Sequence, residues 1–285
     1  MKAPPFSYLR PEDLDAALEV LAAHKGDAVV LAGGQSLMPS LALRLARPAA
    51  LVDINRISQL TGIELRGDRV RIGALARHCE IAQSDLVASH LPLLRTAIGH
   101  VGHRGVRNRG TFGGSLANGD PAAELVACAV ALDATVQLRS LRDERRVAAG
   151  DFFQSPLETD RRPDEILTEV LVPARRPDEV FGFRELSRRT GDFAMVGVAA
   201  RARLLEAGLR DLRLVVFGCE ARPLLSKAAA RLVEGTPMDE ASARQIAAAV
   251  AQEMDPMADL AGDASVKRRQ ARALVARLLM EMAHG

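Results

Sequence analysis

Tryptophan is absent from the 285 residues, and tyrosine occurs once, as Tyr8. Stacking on the bases of a nucleic-acid strand therefore has little to work with. A strong charge of either sign is also missing. With 38 basic and 36 acidic side chains the net charge is +2, too small for a protein that binds phosphate backbones. The basic clusters at 107–109, 142–146 and 267–272 read as solvated faces or partner-contact edges. Cysteine is scarce and scattered: Cys79, Cys128 and Cys219 form no pair with the spacing of a zinc knuckle or a redox dithiol. An iron–sulfur cluster needs about four ligands, so none is expected on this chain, and the thiols read as reduced side chains of a cytoplasmic protein. No apolar run reaches the roughly 18 residues of a membrane span, and residues 1–6 lack the apolar core of a signal peptide. His24, His78, His90, His100, His103 and His284 are dispersed. No nucleophilic triad or dyad is visible, so neither catalytic nor metal-binding residues are expected.

What is present is an ordinary globular composition, 48% hydrophobic and 26% charged, enough to bury a sizeable core. At about 100–200 residues per domain, the length suits one large domain or two to three small ones. Leu14, Ala17, Leu18 and Leu21 lie on one helical face after Pro11-Glu12-Asp13, an N-terminal signature. Short apolar runs predict buried strands at 28–32 and 51–54, with a short helix at 39–46 between them. A half-exposed strand follows at 69–72. The stretch 78–98 reads as mostly helical, interrupted near Pro92. The segment 100–118 reads as a long ordered loop, because glycine is dense there. A helix at 121–131 and strands at 134–138 and 146–149 come next, then a polar loop at 155–165 and a strand at 165–172. Strands at 181–187, 195–205 and 212–218 precede helices at 221–234, 239–252 and 265–283. A run of strands followed by a run of helices predicts a separate α+β unit after a boundary near 173–178.

Two glycine-rich segments carry the chemistry. The first, Ala32-Gly33-Gly34-Gln35-Ser36-Leu37, links a strand to a helix. Successive N–H groups in such a turn can form an anion site, with Gln35 and Ser36 as further donors. It has neither the G-x-G-x-x-G spacing nor a Walker lysine, and alone it reads first as a tight turn. The second contains Gly110-Thr111-Phe112-Gly113-Gly114-Ser115, followed by Asn118, Asp120 and Glu124. Bare backbone with Thr111 and Ser115 suits a pyrophosphate, and Asp120 or Glu124 suits sugar or ribityl hydroxyls. A glycine-rich surface loop before a capped helix remains an equal reading of that segment by itself. Two such loops in one chain favour a large dinucleotide.

Together with Val52-Asp53-Ile54, Ile72-Gly73-Ala74, Arg107-Asn108-Arg109 and Asp120-Pro121-Ala122-Ala123-Glu124, these segments resemble the FAD-binding medium subunit of molybdenum hydroxylases. That family includes the medium subunits of aerobic carbon monoxide dehydrogenase and the flavin domain of xanthine dehydrogenase. The resemblance spans nearly the whole chain. It implies an α+β protein: a two-lobed FAD-binding domain of the PCMH (vanillyl-alcohol-oxidase) type over 1–175, with lobes about 1–56 and 57–175. A smaller α+β domain with a three-stranded antiparallel sheet and helices would cover 178–285. By position it implies that Leu31, Ala32, Gly33, Gly34, Gln35, Ser36 and Leu37, with Gly110, Thr111, Phe112, Gly113, Gly114 and Ser115, hold the FAD pyrophosphate. Asn118, Asp120 and Glu124 would order the second loop and meet the ribityl or ribose hydroxyls. Val101 and Gly102 would lie near the isoalloxazine, Leu167 near the ring or adenine, Arg184 at the flavin edge, and Asp192 and Phe193 beside the flavin.

The resemblance also implies partners: a large subunit with the molybdenum cofactor and a small subunit with [2Fe–2S] clusters, in a dimer of heterotrimers. Electrons would pass from the clusters to FAD and on to an external acceptor. Lys267 stands where relatives commonly have Tyr, and the cysteine-rich insertion that holds a [4Fe–4S] cluster in some relatives is missing. A self-contained flavin oxidoreductase on the same fold and a nucleotide-binding scaffold without flavin are the alternative readings.

Overall fold

The structure is a computed structural model that describes residues 2–260 and 262–284. Its first lobe is a three-stranded parallel sheet. Strands β1 (Ser7–Leu9) and β2 (Ala28–Leu31) flank β3 (Ala50–Asp53), with helices α1 (Leu14–His24) and α2 (Leu37–Ala42) in the connections. Asp13 caps α1 by accepting from the Ala16 N–H at 2.8 Å, and Lys25 ends it in the left-handed conformation at φ 50°. The predicted stripe Leu14, Ala17, Leu18 and Leu21 is its buried face. Central β3 is buried at every residue, as a two-sided parallel strand should be. The run at 28–32 is less buried than its composition predicts. β2 is the edge of this sheet, and Val29 and Val30 line the cleft described below.

The second lobe is a five-stranded antiparallel sheet with helices on it. Its elements in chain order are β4 (Ile63–Arg66), β5 (Arg69–Gly73), α3 (His78–Gln83), α4 (Asp85–His90), α5 (Pro92–Ala97), α6 (Arg104–Arg109), α7 (Phe112–Asn118), α8 (Glu124–Ala131), β6 (Thr135–Arg139), β7 (Glu144–Ala148), α9 (Ala149–Phe152), a small hairpin of β8 (Phe153–Ser155) and β9 (Glu158–Thr159), and β10 (Ile166–Pro173). The sheet order is β4-β5-β10-β6-β7. Central β10 is buried from Ile166 to Val172. The predicted helical stretch 78–98 is three short helices, broken at Ser84 and Leu91, with Pro92 opening α5.

The segment read as a loop over 100–118 contains two short helices, α6 and α7. Its glycines mask the helical pattern, and packing overrides their low propensity. A Cβ on Gly113 would come within 2.6 Å of the Ala74 Cα, so glycine there lets α7 sit on the chain just after β5.

The C-terminal unit has β11 (Glu179–Leu186), β12 (Val196–Leu205), β13 (Gly208–Phe217) and β14 (Leu224–Leu225), then helices α10 (Lys227–Val233), α11 (Glu240–Glu253) and α12 (Ala264–His284). The sheet is antiparallel in the order β11-β12-β13-β14. It thus has four strands rather than three. The fourth is the start of the expected 221–234 helix, which begins only at Lys227, where the Ser226 hydroxyl accepts from the Ala229 N–H at 3.0 Å.

Alternation along β11 turns Phe181 and Phe183 to the core of the second lobe and Val180 and Leu186 to the core beneath the C-terminal helices. Lys267 is buried at 1% exposure. Its ammonium donates to the Met257 carbonyl and to Asp259 Oδ2, both at 2.6 Å, tying α12 to the chain that precedes it.

Candidate functional site

The two glycine segments meet at backbone distance. A Cβ on Gly33 would stand 2.4 Å from the Arg109 carbonyl oxygen and 2.9 Å from the Gly110 Cα. Only glycine permits that approach. Gly34, at φ +73°, turns the first loop into α2. A short polar network clamps the pair. The Asn55 amide donates to the carbonyls of Ala32 at 2.8 Å and Leu31 at 3.3 Å. Arg77 donates to Asn55 Oδ1 at 2.6 Å and, through its other terminal nitrogen, to the Arg109 carbonyl. Asp53 accepts from Asn55 at 2.6 Å and from the Tyr8 hydroxyl. The Val52-Asp53-Ile54 segment thus fixes the first loop from beneath.

Between and below the loops runs a cleft of about 520 Å³, within the usual range for a small-molecule or cofactor site. It is lined by Ala32, Gly33, Gly34, Gln35, Ser36 and Leu37 from the first loop. Gly110, Thr111, Gly113, Gly114, Ser115, Asn118, Asp120 and Glu124 line it from the second, and Val101, Gly102, Leu167, Asp192 and Phe193 complete it. Nineteen of the 22 sequence-derived positions are therefore brought together, counting these against that set.

Three are not. Leu31 faces a neighbouring hollow with Met38 and Arg109. Phe112 is 1% exposed and packs in the core of the second lobe. Arg184 lies on the face of β11 opposite Phe183 and pairs with Glu281 of α12, Nε to Oε2 at 2.7 Å. Strand alternation, not distance along the chain, turns it away from the cleft.

The C-terminal unit closes one side. Gly191, at φ +86°, is so close to Gly102 that an added Cβ would lie 2.9 Å from the Gly102 carbonyl oxygen. Arg107 holds the same turn by donating to the Val101 and Gly102 carbonyls at 2.9 and 2.7 Å. Phe193 stands at the mouth, 66% exposed.

Charge in the cleft is unusual. Burial pushes the Glu124 carboxyl up to about 8, and the nearby Glu185 and Asp120 carboxylates add to the shift. Burial also raises Asp120, against the Ala122 N–H that it accepts at 2.9 Å. Glu165 differs: burial works against its charge, but Arg145, at 2.6 Å, together with the Arg162 N–H outweighs it and holds the carboxyl low.

Arg161 and His78 are among the cleft residues that the sequence did not single out. Arg161 donates through Nη1 to the Arg162 and Glu165 carbonyls, and the polar loop in which it lies carries no local pattern. His78 is 5% exposed, and neither ring nitrogen has a hydrogen-bond partner. Burial pulls it down to about 4 against the Thr111 backbone, which lies beside the ring without meeting hydrogen-bond geometry, and the Arg107 and Arg77 charges add to the shift.

Two family models match the chain. "FAD binding domain in molybdopterin dehydrogenase" covers residues 4–175, and "CO dehydrogenase flavoprotein C-terminal domain" covers 181–282. The chain belongs to the FAD-binding subunits of the molybdopterin dehydrogenases.

Relatives of this FAD-binding subunit include the nicotine 6-hydroxylase medium subunit of Paenarthrobacter nicotinovorans, 34% identical over 99% of this chain and 98% of that one. The carbon monoxide dehydrogenase medium chain of Hydrogenophaga pseudoflava is 33% identical over 98% and 97%. Among solved structures, quinoline 2-oxidoreductase from Pseudomonas putida 86 superposes with a TM-score of 0.95 at 34% identity, covering 100% of this chain and 99% of that one.

The subunit's own geometry suits a dinucleotide. Among the described residues the peptide N–H groups of Gly33, Gly34, Gln35 and Ser36 donate to no partner, whereas those of Gly110, Gly113, Gly114 and Ser115 are given to Val106, Ala74 and Thr111, and the His78 ring lies in the cleft wall. A buried neutral histidine makes stability depend on acid. His78 contributes fully above its unfolded value of 6.5, and the contribution is lost as pH falls from 6.5 towards about 4. The loss is on the order of 3 kcal/mol. Urea unfolding of the cofactor-free chain at pH 7 and pH 4.5 measures it. His78→Gln, which cannot take up the proton, is expected to flatten that difference.

Proposed function

We propose that the chain holds FAD in this cleft and serves as the electron-transfer subunit of a molybdenum hydroxylase. The observation that carries the reading is the contact of Gly33 with Arg109 and Gly110. It makes one concave backbone surface from two loops 77 residues apart, from 33 to 110. Peptide N–H groups of the first loop, with the side chains of Gln35, Ser36 and Ser115, would hold the pyrophosphate against the backbone of the second loop, and His78 would add a ring N–H. Asn118, Asp120 and Glu124 would take the ribityl or ribose hydroxyls. Val101, Gly102, Leu167, Asp192 and Phe193 would enclose the ring. Leu31 and Phe112 would support the loops from behind. Arg184, paired with Glu281, would act on the flavin only through the packing of β11.

FAD, when bound, accepts electrons singly and releases them singly or in pairs, while the protein supplies orientation and dielectric. The chain's residues exclude water and keep Glu124 neutral beside the cofactor. The FAD-binding domain would span 1–175 and the C-terminal domain 178–285. The electron donor would be the [2Fe–2S] clusters of a small subunit. Substrate chemistry would belong to a molybdenum cofactor on a large subunit, in a cytoplasmic dimer of heterotrimers. Names of relatives such as the nicotine 6-hydroxylase medium subunit support that division of labour.

The test is expression with and without the neighbouring subunits. The purified chain is expected to be yellow, with one FAD per chain, and to be reduced by substrate only in the complex. Turnover of an organic substrate by the isolated FAD-loaded chain would instead make it self-contained, and a colourless chain that does not take up FAD would leave a scaffold.

A further inference from the structure

Electrons that leave iron–sulfur centres arrive without protons, whereas a flavin that gains an electron pair also takes up protons. If FAD fills the cleft as proposed above, some side chains of this subunit must bring protons to it. Three groups run from the cleft to solvent. Glu124 opens α8, lines the cleft and is 4% exposed. Glu185 lies on β11, on the same face as Phe183, and its side chain is 4% exposed. Its Oε2 has no hydrogen-bond partner, and its Oε1 is 3.2 Å from Nδ1 of His100. His100 follows α5, packs against Phe183 with ring centroids 4.9 Å apart and planes tilted by 52°, and reaches the surface with 42% of its side chain exposed.

Helix α8 packs on β12 and β13, next to β11, so Glu124 and Glu185 face the same interface between the two units. Cys128, one turn along α8, lies in the field of both carboxyls. Among the described residues no arginine or lysine neutralises this pair. Asp120 is the other charged group near Glu124, and Arg184 on β11 is turned to Glu281 of α12. Burial raises both glutamates, Glu124 to about 8 and Glu185 against the opposing pull of His100. Histidine is the side chain suited to exchanging protons with water near neutral pH.

We propose that His100, Glu185 and Glu124 form a proton relay from solvent into the cofactor cleft. Glu124 gives its carboxyl proton to the acceptor in the cleft and becomes a carboxylate. Glu185 then re-protonates Glu124 from the free Oε2 side, through a bridging water. The His100 imidazolium returns a proton from Nδ1 to Oε1 of Glu185 and is reloaded from water. One proton enters for each one delivered, and no electron passes through these groups.

The experiment uses the FAD-loaded full chain, reduced in a stopped flow by reduced methyl viologen, a one-electron donor that carries no proton. An indicator dye reports proton uptake, and flavin absorbance reports the electrons. Glu185→Gln is expected to slow proton uptake at least tenfold at unchanged FAD content. His100→Ala, a change at the surface, is expected to do the same, and added imidazole is expected to restore its rate. Infrared spectra are expected to show a protonated carboxyl band near pH 7 that Glu124→Gln removes. Wild-type rates of proton uptake in both Glu185→Gln and His100→Ala would overturn the relay while leaving FAD binding intact. A wild-type chain without FAD would overturn the functional reading and the relay with it.

Discussion

Gly33→Ala is expected to strip the subunit of its cofactor. The new methyl group would sit 2.4 Å from the Arg109 carbonyl oxygen and 2.9 Å from the Gly110 Cα, both backbone atoms that cannot rotate aside. Overpacking of this kind costs about 1–3 kcal/mol. Here the strain is relieved by separating the two loops, so it falls on the concave surface they form together. FAD affinity is therefore expected to drop by roughly 10- to 100-fold, measured by fluorescence quenching on reconstitution of the flavin-free chain. Gly150→Ala is the control. An added Cβ there meets nothing within 4 Å, and flavin binding is expected to remain as in the wild type. Equal affinities for the two variants would sever the loop contact from cofactor binding.

Glu169→Ala is expected to give the largest loss of stability. Glu169 lies on central β10, and its Oε2 accepts from Nε of Arg71 on β5 at 2.7 Å, with side chains 10% and 9% exposed. Arg71 also donates to the carbonyls of Thr61 at 2.5 Å and Gln59 at 2.8 Å, so its position is fixed. Removing the carboxylate leaves the buried guanidinium with only the half-exposed Glu64, 3.7 Å from Nε, as counter-charge, and the loss of a buried partner costs about 3–5 kcal/mol. The melting temperature should fall by roughly 10 °C. Arg66, half exposed and 3.4 Å from the same carboxylate, loses that partner as well but keeps Glu64 at 2.6 Å. The double variant Arg71→Leu with Glu169→Leu removes both charges and is expected to lose less than Glu169→Ala. The opposite ranking, measured by calorimetry, would mean that the pair itself and not the stranded charge supplies the stability.

The sequence was informative where chemistry is local. The stripe of α1 and the cap at Asp13 follow from spacing alone, and glycine density marked the second loop. That the two glycine segments meet was not visible locally, because it depends on a contact between residues 33 and 110; resemblance supplied it. His78 and Arg161 escaped because nothing beside them in the chain marks a cleft wall. The expectation for Arg184 shows a different limit. Phe181 and Phe183 mark one face of β11, and by that alternation Glu185, not Arg184, shares it. The signal was present, but reading it requires committing to the strand's parity. In the C-terminal sheet the fourth strand is only two residues long, Leu224 and Leu225. Such a strand is set by pairing with Val215 and Val216, not by its own composition.

That parity makes β11 a safeguard against misassembly. Both of its faces are committed: Phe181, Phe183 and Glu185 to the side of the second lobe, and Gly182 to Leu278 and Met282 of α12, where an added Cβ would come within 2.7 Å of Leu278. Slipping by one residue would drive both phenylalanines into the helix and bury Arg184 against the other unit. Slipping by two would preserve the faces but put a bulky side chain where only Gly182 fits. Neither error has a low-energy resting place, so a chain that pairs β11 wrongly gains little from staying that way and is returned to the pool of unpaired chains for another attempt.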